Sequence, residues 1–168
     1  GSERVGTSTD IYIRGRRNRS MDSELRPLLG LELDDAEIDD VLYELGAGVL
    51  SMSADGVPYG VPLSFGYDGD SCYFLFLGAS ADLRKETYAE QSDEVSFTAV
   101  DVGPEWAWRS VIVAGGLDRV GPDEWDAARE AMLDNAYRSD LLADGELRDN
   151  PSVWALDIRE RSGRAVGQ

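Results

Sequence analysis

Three cations, Arg84, Lys85 and Arg109, stand out in a chain whose other charges are mostly acidic. Arg84-Lys85 follows a small, turn-like segment at 78–81 and sits on or beside a short helix. Arg109, with Ser110 after it, opens a strand just past the aromatic pair Trp106 and Trp108. Basic side chains, a hydroxyl and free backbone N–H groups beside a helix start are the parts of a phosphate receptor, because each donates to an anionic oxygen. Taken alone, Arg84 and Lys85 read first as a solvated face on which they pair with Asp82 and Glu86, a common and weak arrangement. A second candidate is the run Pro58-Tyr59-Gly60-Val61-Pro62-Leu63-Ser64-Phe65-Gly66-Tyr67. Its prolines and glycines break a β ladder and leave main-chain donors and acceptors free to meet the edge of a planar ring; it reads equally as an ordinary bulged edge strand. Acid pairs such as Asp39/Asp40 suit acid–base work or a divalent cation, but among 33 acids they read as solvated surface. Cys72 alternates into an apolar strand as a small core residue.

Composition removes whole classes of chemistry. There is no histidine in the 168 residues, so serine–histidine and cysteine–histidine nucleophilic catalysis lack their base. One cysteine allows no intrachain disulfide and no Cys/His metal site. No apolar run approaches the roughly 20 residues of a membrane helix, and no signal-like segment stands near the N-terminus; the expectation is a cytoplasmic protein without a membrane partner. A hydrophobic fraction of 42% places the chain among folded proteins despite a net charge of −17. The acids are dispersed, and the bases are 15 Arg with a single Lys. That pattern reads as adaptation to high salt, where a Debye length of roughly 3 Å at 1 M screens self-repulsion. Duplex nucleic acid is not expected as a partner, since its phosphates carry the same sign. Residues 1–20 differ: five Arg against two acids give +3, whereas residues 21–168 carry 11 bases and 31 acids. Opening on Gly-Ser, with Met21 as a plausible start, residues 1–20 are expected to be a leader or tag, disordered and outside a single domain at 21–168.

The elements that would hold these residues are legible in outline. Asp34 with Glu37 makes a capping-box start, Ile38, Val41, Leu42 and Leu45 follow at helical spacing, and Gly46 stands where a helix-ending glycine would. A strand at Gly48–Ser53, the hairpin turn Asp55-Gly56 and a strand at Val57–Tyr67 come next. After the turn Asp68-Gly69-Asp70, Ser71–Leu77 is apolar on both faces and therefore buried. Asp82 is placed to cap a short helix through Gln91. Glu94–Val102 and Trp108–Val120 are strands rich in β-branched residues. Pro122 precedes a helix at Asp123–Tyr137 with an apolar stripe of Trp125, Ala128, Met132 and Leu133, and Val153–Arg159 is a last strand. Six short strands with tight turns must hide their edges, which predicts a mainly β fold with peripheral helices: a small antiparallel barrel.

Four stretches, in order, resemble the pyridoxamine 5′-phosphate oxidase-like family, and more narrowly its short flavin-nucleotide-binding members related to nitroimidazole-resistance proteins. They are Asp55–Tyr59 with Val61–Tyr67, Tyr73–Phe76 leading to Arg84-Lys85, Val95-Ser96-Phe97, and Trp108–Val111 running to Gly115. The resemblance covers about 34–161 and implies a six-stranded antiparallel split β-barrel that binds FMN. It implies that Val61, Pro62, Leu63 and Ser64 line the isoalloxazine, largely through the backbone, and that Leu77 and Gly78 flank the ring or ribityl chain. Arg84 and Lys85 match the pair that grips the FMN phosphate, and Arg109 and Ser110 would contact the flavin, across a homodimer interface in one arrangement. The flavin itself supplies redox chemistry, so a chain without imidazole suits an oxidoreductase whose protein part holds and shields the cofactor. The family's histidine-dependent activities do not carry over, because the histidine is missing. The expectation is an FMN-dependent oxidoreductase of unknown substrate; a deazaflavin-dependent reductase of the same fold, a non-catalytic flavin carrier or sensor, and a cofactor-free acidic interaction domain are the alternatives.

Overall fold

A computed structural model describes residues 29–77, 84–135 and 151–167. The proposed leader, the turn-like segment at 78–81 with Gly78, the capping residue Asp82 and residues 136–150 therefore lie outside the described residues. In order, the elements are β1 (Leu31–Glu32), α1 (Asp35–Glu44), β2 (Ala47–Ala54), β3 (Val57–Ser64), β4 (Gly66–Tyr67), β5 (Ser71–Leu77), α2 (Arg84–Gln91), β6 (Val95–Val102), β7 (Trp108–Arg119), α3 (Trp125–Asn135) and β8 (Pro151–Val166). The six expected strands are present, and the two-residue strands β1 and β4 add to them. All pairs are antiparallel in one sheet ordered β3-β2-β6-β7-β8-β5-β4, with β1 beside β8.

The sheet is not closed. Its two ends, β3 and β4, are neighbours in sequence, separated by Phe65, where the chain leaves its pairing with β2 and takes up pairing with β5. The expected strand at Val57–Tyr67 is therefore two strands on opposite sides of a split. Phe65 is fully buried at this seam, its ring 4.7 Å from Phe97, which lies 5.0 Å from Phe74. Apolar side chains from the inward positions of every long strand, among them Leu50, Val61, Phe76, Val111 and Leu156, fill the interior. Tyr73 and Leu75, on the other face of β5, pack with Met132 and Val153 beneath α3, which is why that strand is apolar on both sides.

Local rules explain most boundaries. Asp34 and Glu37 form the reciprocal capping box, each backbone N–H donating to the other's carboxylate at 2.9 Å. The helix does not end on a left-handed glycine: Leu45 is already extended (φ −85°, ψ 130°), and the chain runs straight into β2. The Asp55-Gly56 turn has positive φ at both residues (51° and 76°), the type I′ geometry whose twist matches paired strands. Gly66 lies so close under α3 that a Cβ would collide with the backbone of Ala131 and Met132. The helix expected at Asp123–Tyr137 begins as a 3-10 turn at Pro122–Glu124 and becomes α-helical at Trp125. β8 runs on well past Arg159, pairing along all of β7 around a bulge at Ala114/Gly115.

Asp39 corrects the sequence reading. It is more than a solvated acid: though 37% exposed, its Oδ1 accepts from the Tyr67 hydroxyl (2.5 Å) and from Arg161 (2.7 Å), fastening α1 to β4 and β8. Cys72 is the core residue expected, and burial pushes its thiol above the ordinary value of 9.0.

Candidate functional site

β3 has one neighbour, β2, so half of its backbone groups have no strand to pair with. The N–H of Phe65 donates to Gly46. With alternation along an antiparallel ladder, residues 57, 59, 61 and 63 turn their main-chain groups toward β2, and 58, 60, 62 and 64 turn theirs outward. Both prolines thus fall where no ladder bond is lost, and they block edge-to-edge strand addition. The same phase leaves the N–H groups of Gly60 and Ser64 and the carbonyls of Pro58, Gly60, Pro62 and Ser64 along the edge. Val61 is buried and Leu63 half-buried toward the core, while Pro62 and Ser64 are exposed. Any ligand at this edge meets those four residues chiefly through main-chain atoms and the outward pair.

The N-terminal cations of α2 sit by this strand. The Arg84 guanidinium lies 4.7 Å from the centre of the Tyr59 ring and 6.0 Å from Tyr88, and the two rings are 4.9 Å apart. Lys85 is half-buried and forms no salt bridge among the described residues. The surface-pair reading fails for Glu86, which turns into the barrel and accepts from the Ser152 hydroxyl at 2.8 Å. Leu77 ends β5 opposite Pro151, and Gly78 lies outside the described residues.

Arg109 is elsewhere. Val61, Leu50, Phe97 and Val113 form one row across β3, β2, β6 and β7. Tyr59 lies two residues to one side of that row and Arg109 four to the other, so along the strands about 20 Å separates it from the Arg84 site. Its side chain faces inward, held by Glu44 (2.6 Å) and Asp101 (3.2 Å), whose hydrogen bonds outweigh the cost of burial and raise its pKa. Ser110, next along β7, points to the outer face instead.

That outer face is unusual. The outward positions of β3 (58, 60, 62, 64), β2 (47, 49, 51, 53), β6 (96, 98, 100, 102) and β7 (108, 110, 112, 114) are Pro, Gly, Pro, Ser; Ala, Val, Ser, Ser; Ser, Thr, Val, Val; and Trp, Ser, Ile, Ala. None of the sixteen is charged, where a chain that is 29% charged would place about five. Val49, Val100, Val102 and Ile112 are exposed on it, Val102 to 74%. Beyond its end Trp106 is 90% exposed, on a turn where it and Glu105 both have positive φ (66° and 56°). An uncharged face on so acidic a chain is where apolar surface remains available for contact. Sequence reading missed this face, although period-2 alternation of Ser, Thr and Val in four strands carries it. Tyr59 and Tyr88 were also missed as a platform for Arg84; nothing in their local spacing pairs them.

A split antiparallel barrel with an open, proline-bearing edge and an uncharged outer face defines the class. A family model described as pyridoxamine 5′-phosphate oxidase matches residues 34–165, and the chain belongs to that family. Among solved structures, an FAD-binding protein from Mesorhizobium loti is 23% identical with a TM-score of 0.68, covering 83% of this chain and 99% of its own. An FAD-binding protein from Mycobacterium smegmatis gives 18% identity, a TM-score of 0.62, and coverage of 82% and 99%. A putative 5-nitroimidazole antibiotic resistance protein from Bacteroides thetaiotaomicron gives 16%, 0.60, and coverage of 80% and 87%. At these identities the likeness establishes the fold. No curated protein matches the chain.

Proposed function

We propose that this protein is a flavin-binding oxidoreductase that holds FMN at the β3 edge, acting as a homodimer of single domains spanning 21–168 in a salt-rich cytoplasm. The observation that carries the reading is the meeting of three features at one place. They are unpaired main-chain groups along Gly60–Ser64, the Arg84-Lys85 pair at the start of α2, and an uncharged face continuing across β2, β6 and β7. Each fits a different part of the cofactor. The edge N–H and carbonyl groups match the donor–acceptor rim of an isoalloxazine, the cations match a terminal phosphate, and the bare face accepts the apolar ring. FAD-binding by two proteins of the same fold supports a flavin. The terminal phosphate of FMN is the group that best suits a cation pair beside the edge.

Bound flavin supplies the electron and hydride chemistry. The chain's own residues do the rest. Lys85 and Arg84 hold the phosphate end, and Tyr59 stiffens the arginine from beneath. Pro62 and Ser64 fix the plane of the ring against the edge, with Val61 and Leu63 anchoring that strand in the core. Leu77 and Gly78 are assigned to the ribityl side. Arg109 serves to hold α1 and the β6–β7 hairpin together, and Ser110 is the β7 residue turned to the cofactor face. A second copy laid on the uncharged face would cover the ring and exclude water from it.

The test is the chromophore of the purified protein. Flavin absorption bands, with the mass of FMN after acid release, are the expected result. A deazaflavin is recognised by its mass and blue-shifted absorption, and colourless protein that ignores added FMN in molar salt overturns the proposal. Bound FMN that neither NAD(P)H nor artificial donors reduce would make the protein a carrier or sensor.

A further inference from the structure

The start of α2 is tied to the opposite wall of the barrel by a buried relay. Trp154 Nε1 donates to Ser152 Oγ at 3.1 Å, and the Ser152 hydroxyl then donates to Glu86 Oε1 at 2.8 Å. Ser152 and Trp154 are 2% and 4% exposed, and the Trp154 ring stacks on Phe76 across the β5–β8 pair. The order of donation matters. Because the indole N–H occupies an acceptor position of the serine oxygen, the hydroxyl proton is left to point at the carboxylate. Glu86 is one residue from Lys85 and two from Arg84, so a carboxylate left loose there adds negative charge near those cations and opposes an incoming anion. Held by Ser152, it faces the interior instead.

We infer that Ser152 and Glu86 are positioning residues for anion binding: they set the rotation of α2 and withdraw its first-turn carboxylate, leaving Lys85 open to a phosphate. This deepens the flavin reading and rests on it. Two other features fix the same helix and share the load. The Tyr88 ring lies on Tyr59, and Ser92 Oγ accepts from the backbone N–H of Ser53 (3.1 Å) and donates to the Ser53 or Tyr88 carbonyl. Neither of them constrains the carboxylate of Glu86. The relay does.

The experiment compares FMN with riboflavin, which lacks the phosphate, by fluorescence titration of the full chain in molar KCl. Ser152→Ala is expected to weaken FMN about 5- to 10-fold, a part of the worth of one hydrogen bond to a charged group because Tyr88 and Ser92 still hold the helix, and to leave riboflavin unchanged. Ser152→Thr, which keeps the hydroxyl, should retain the preference for FMN. Glu86→Leu separates position from charge: removing an anion beside Lys85 would by itself tighten FMN, whereas loss of the helix setting weakens it. If Ser152→Ala does not fold, Glu86→Leu carries the test. Weakening of FMN and riboflavin by equal factors, no change in either, or tighter FMN in Glu86→Leu would each overturn the inference. A parent protein that binds the two flavins equally would instead overturn the phosphate site itself, and a parent that binds neither would overturn the flavin reading.

Discussion

At the residue scale the balance of charge around single side chains decides what each can do. Arg109 and Lys85 both belong to the few cations of the folded region. Arg109 is satisfied by two carboxylates, and Lys85 has no carboxylate partner among the described residues. Lys85→Glu is therefore expected to weaken FMN by roughly 10-fold or more, an ion-pair contribution of about 1.5 kcal/mol, with the thermal midpoint almost unmoved; titration in molar salt reads the first and calorimetry the second. Tyr67 makes a different prediction. Its hydroxyl is buried and donates to Asp39, and burial first, then that carboxylate, raise its pKa above the ordinary 10.0. A pKa higher in the fold than in the unfolded chain gives stability that is complete below pH 10 and is lost as pH rises beyond it. Burial of the Cys72 thiol acts in the same direction from about pH 9. Denaturant midpoints should thus fall on the alkaline side. Tyr67→Phe should cost about 1–2 kcal/mol at neutral pH and flatten that fall. An unchanged alkaline slope in the phenylalanine variant would remove Tyr67 from the account.

At the scale of elements, how closely backbones approach sets what is tolerated. α3 crosses β4 at Gly66 with no room for a methyl group, since the atoms in its way are helix main chain and cannot swing aside. Gly66→Ala is expected to lower stability by about 3 kcal/mol, seen as a shift in chemical unfolding. A change below about 1 kcal/mol would mean that α3 rides more loosely on the split than its packing indicates. Much at this scale was readable in advance. The capping box of α1, the Asp55-Gly56 hairpin and the whole of β5 follow from contacts between residues close in sequence. Gly46 was misread for an equally local reason: a glycine after a helix signals a left-handed cap only when the chain must turn back, and here it continues into β2.

At the scale of the whole molecule, opposed charge and bareness meet on one surface. A net charge of −17 opposes the proposed homodimer, and the uncharged face is the surface on which that homodimer would form. Salt shifts that balance, because screening shortens from roughly 30 Å at 0.01 M to 3 Å at 1 M while apolar contact persists. Sedimentation should show about 37 kDa, twice the 18.4 kDa chain, in molar KCl and a rising monomer fraction as salt is lowered. Ile112→Asp, which puts a charge on an exposed apolar position of the face, should give monomer at every salt concentration and weaken flavin binding with it. A dimer that survives this change would move the interface elsewhere.

Sequence alone settled what depends on neighbours along the chain or on totals: the absence of imidazole chemistry, the six long strands, the helix start at Asp34, the acidic surface and the family likeness. It could not show that β3 and β4 part at Phe65, that Arg109 is consumed by Glu44 and Asp101, or that Asp39 is a structural anchor. Nor could it show that Glu86 turns toward Ser152. Each of these depends on residues between 8 and 122 positions apart, brought together by strand order and register. The physical reason is that a side chain's charge and hydrogen-bonding capacity are written in one dimension, whereas its partner is chosen by the way the split sheet wraps a common core.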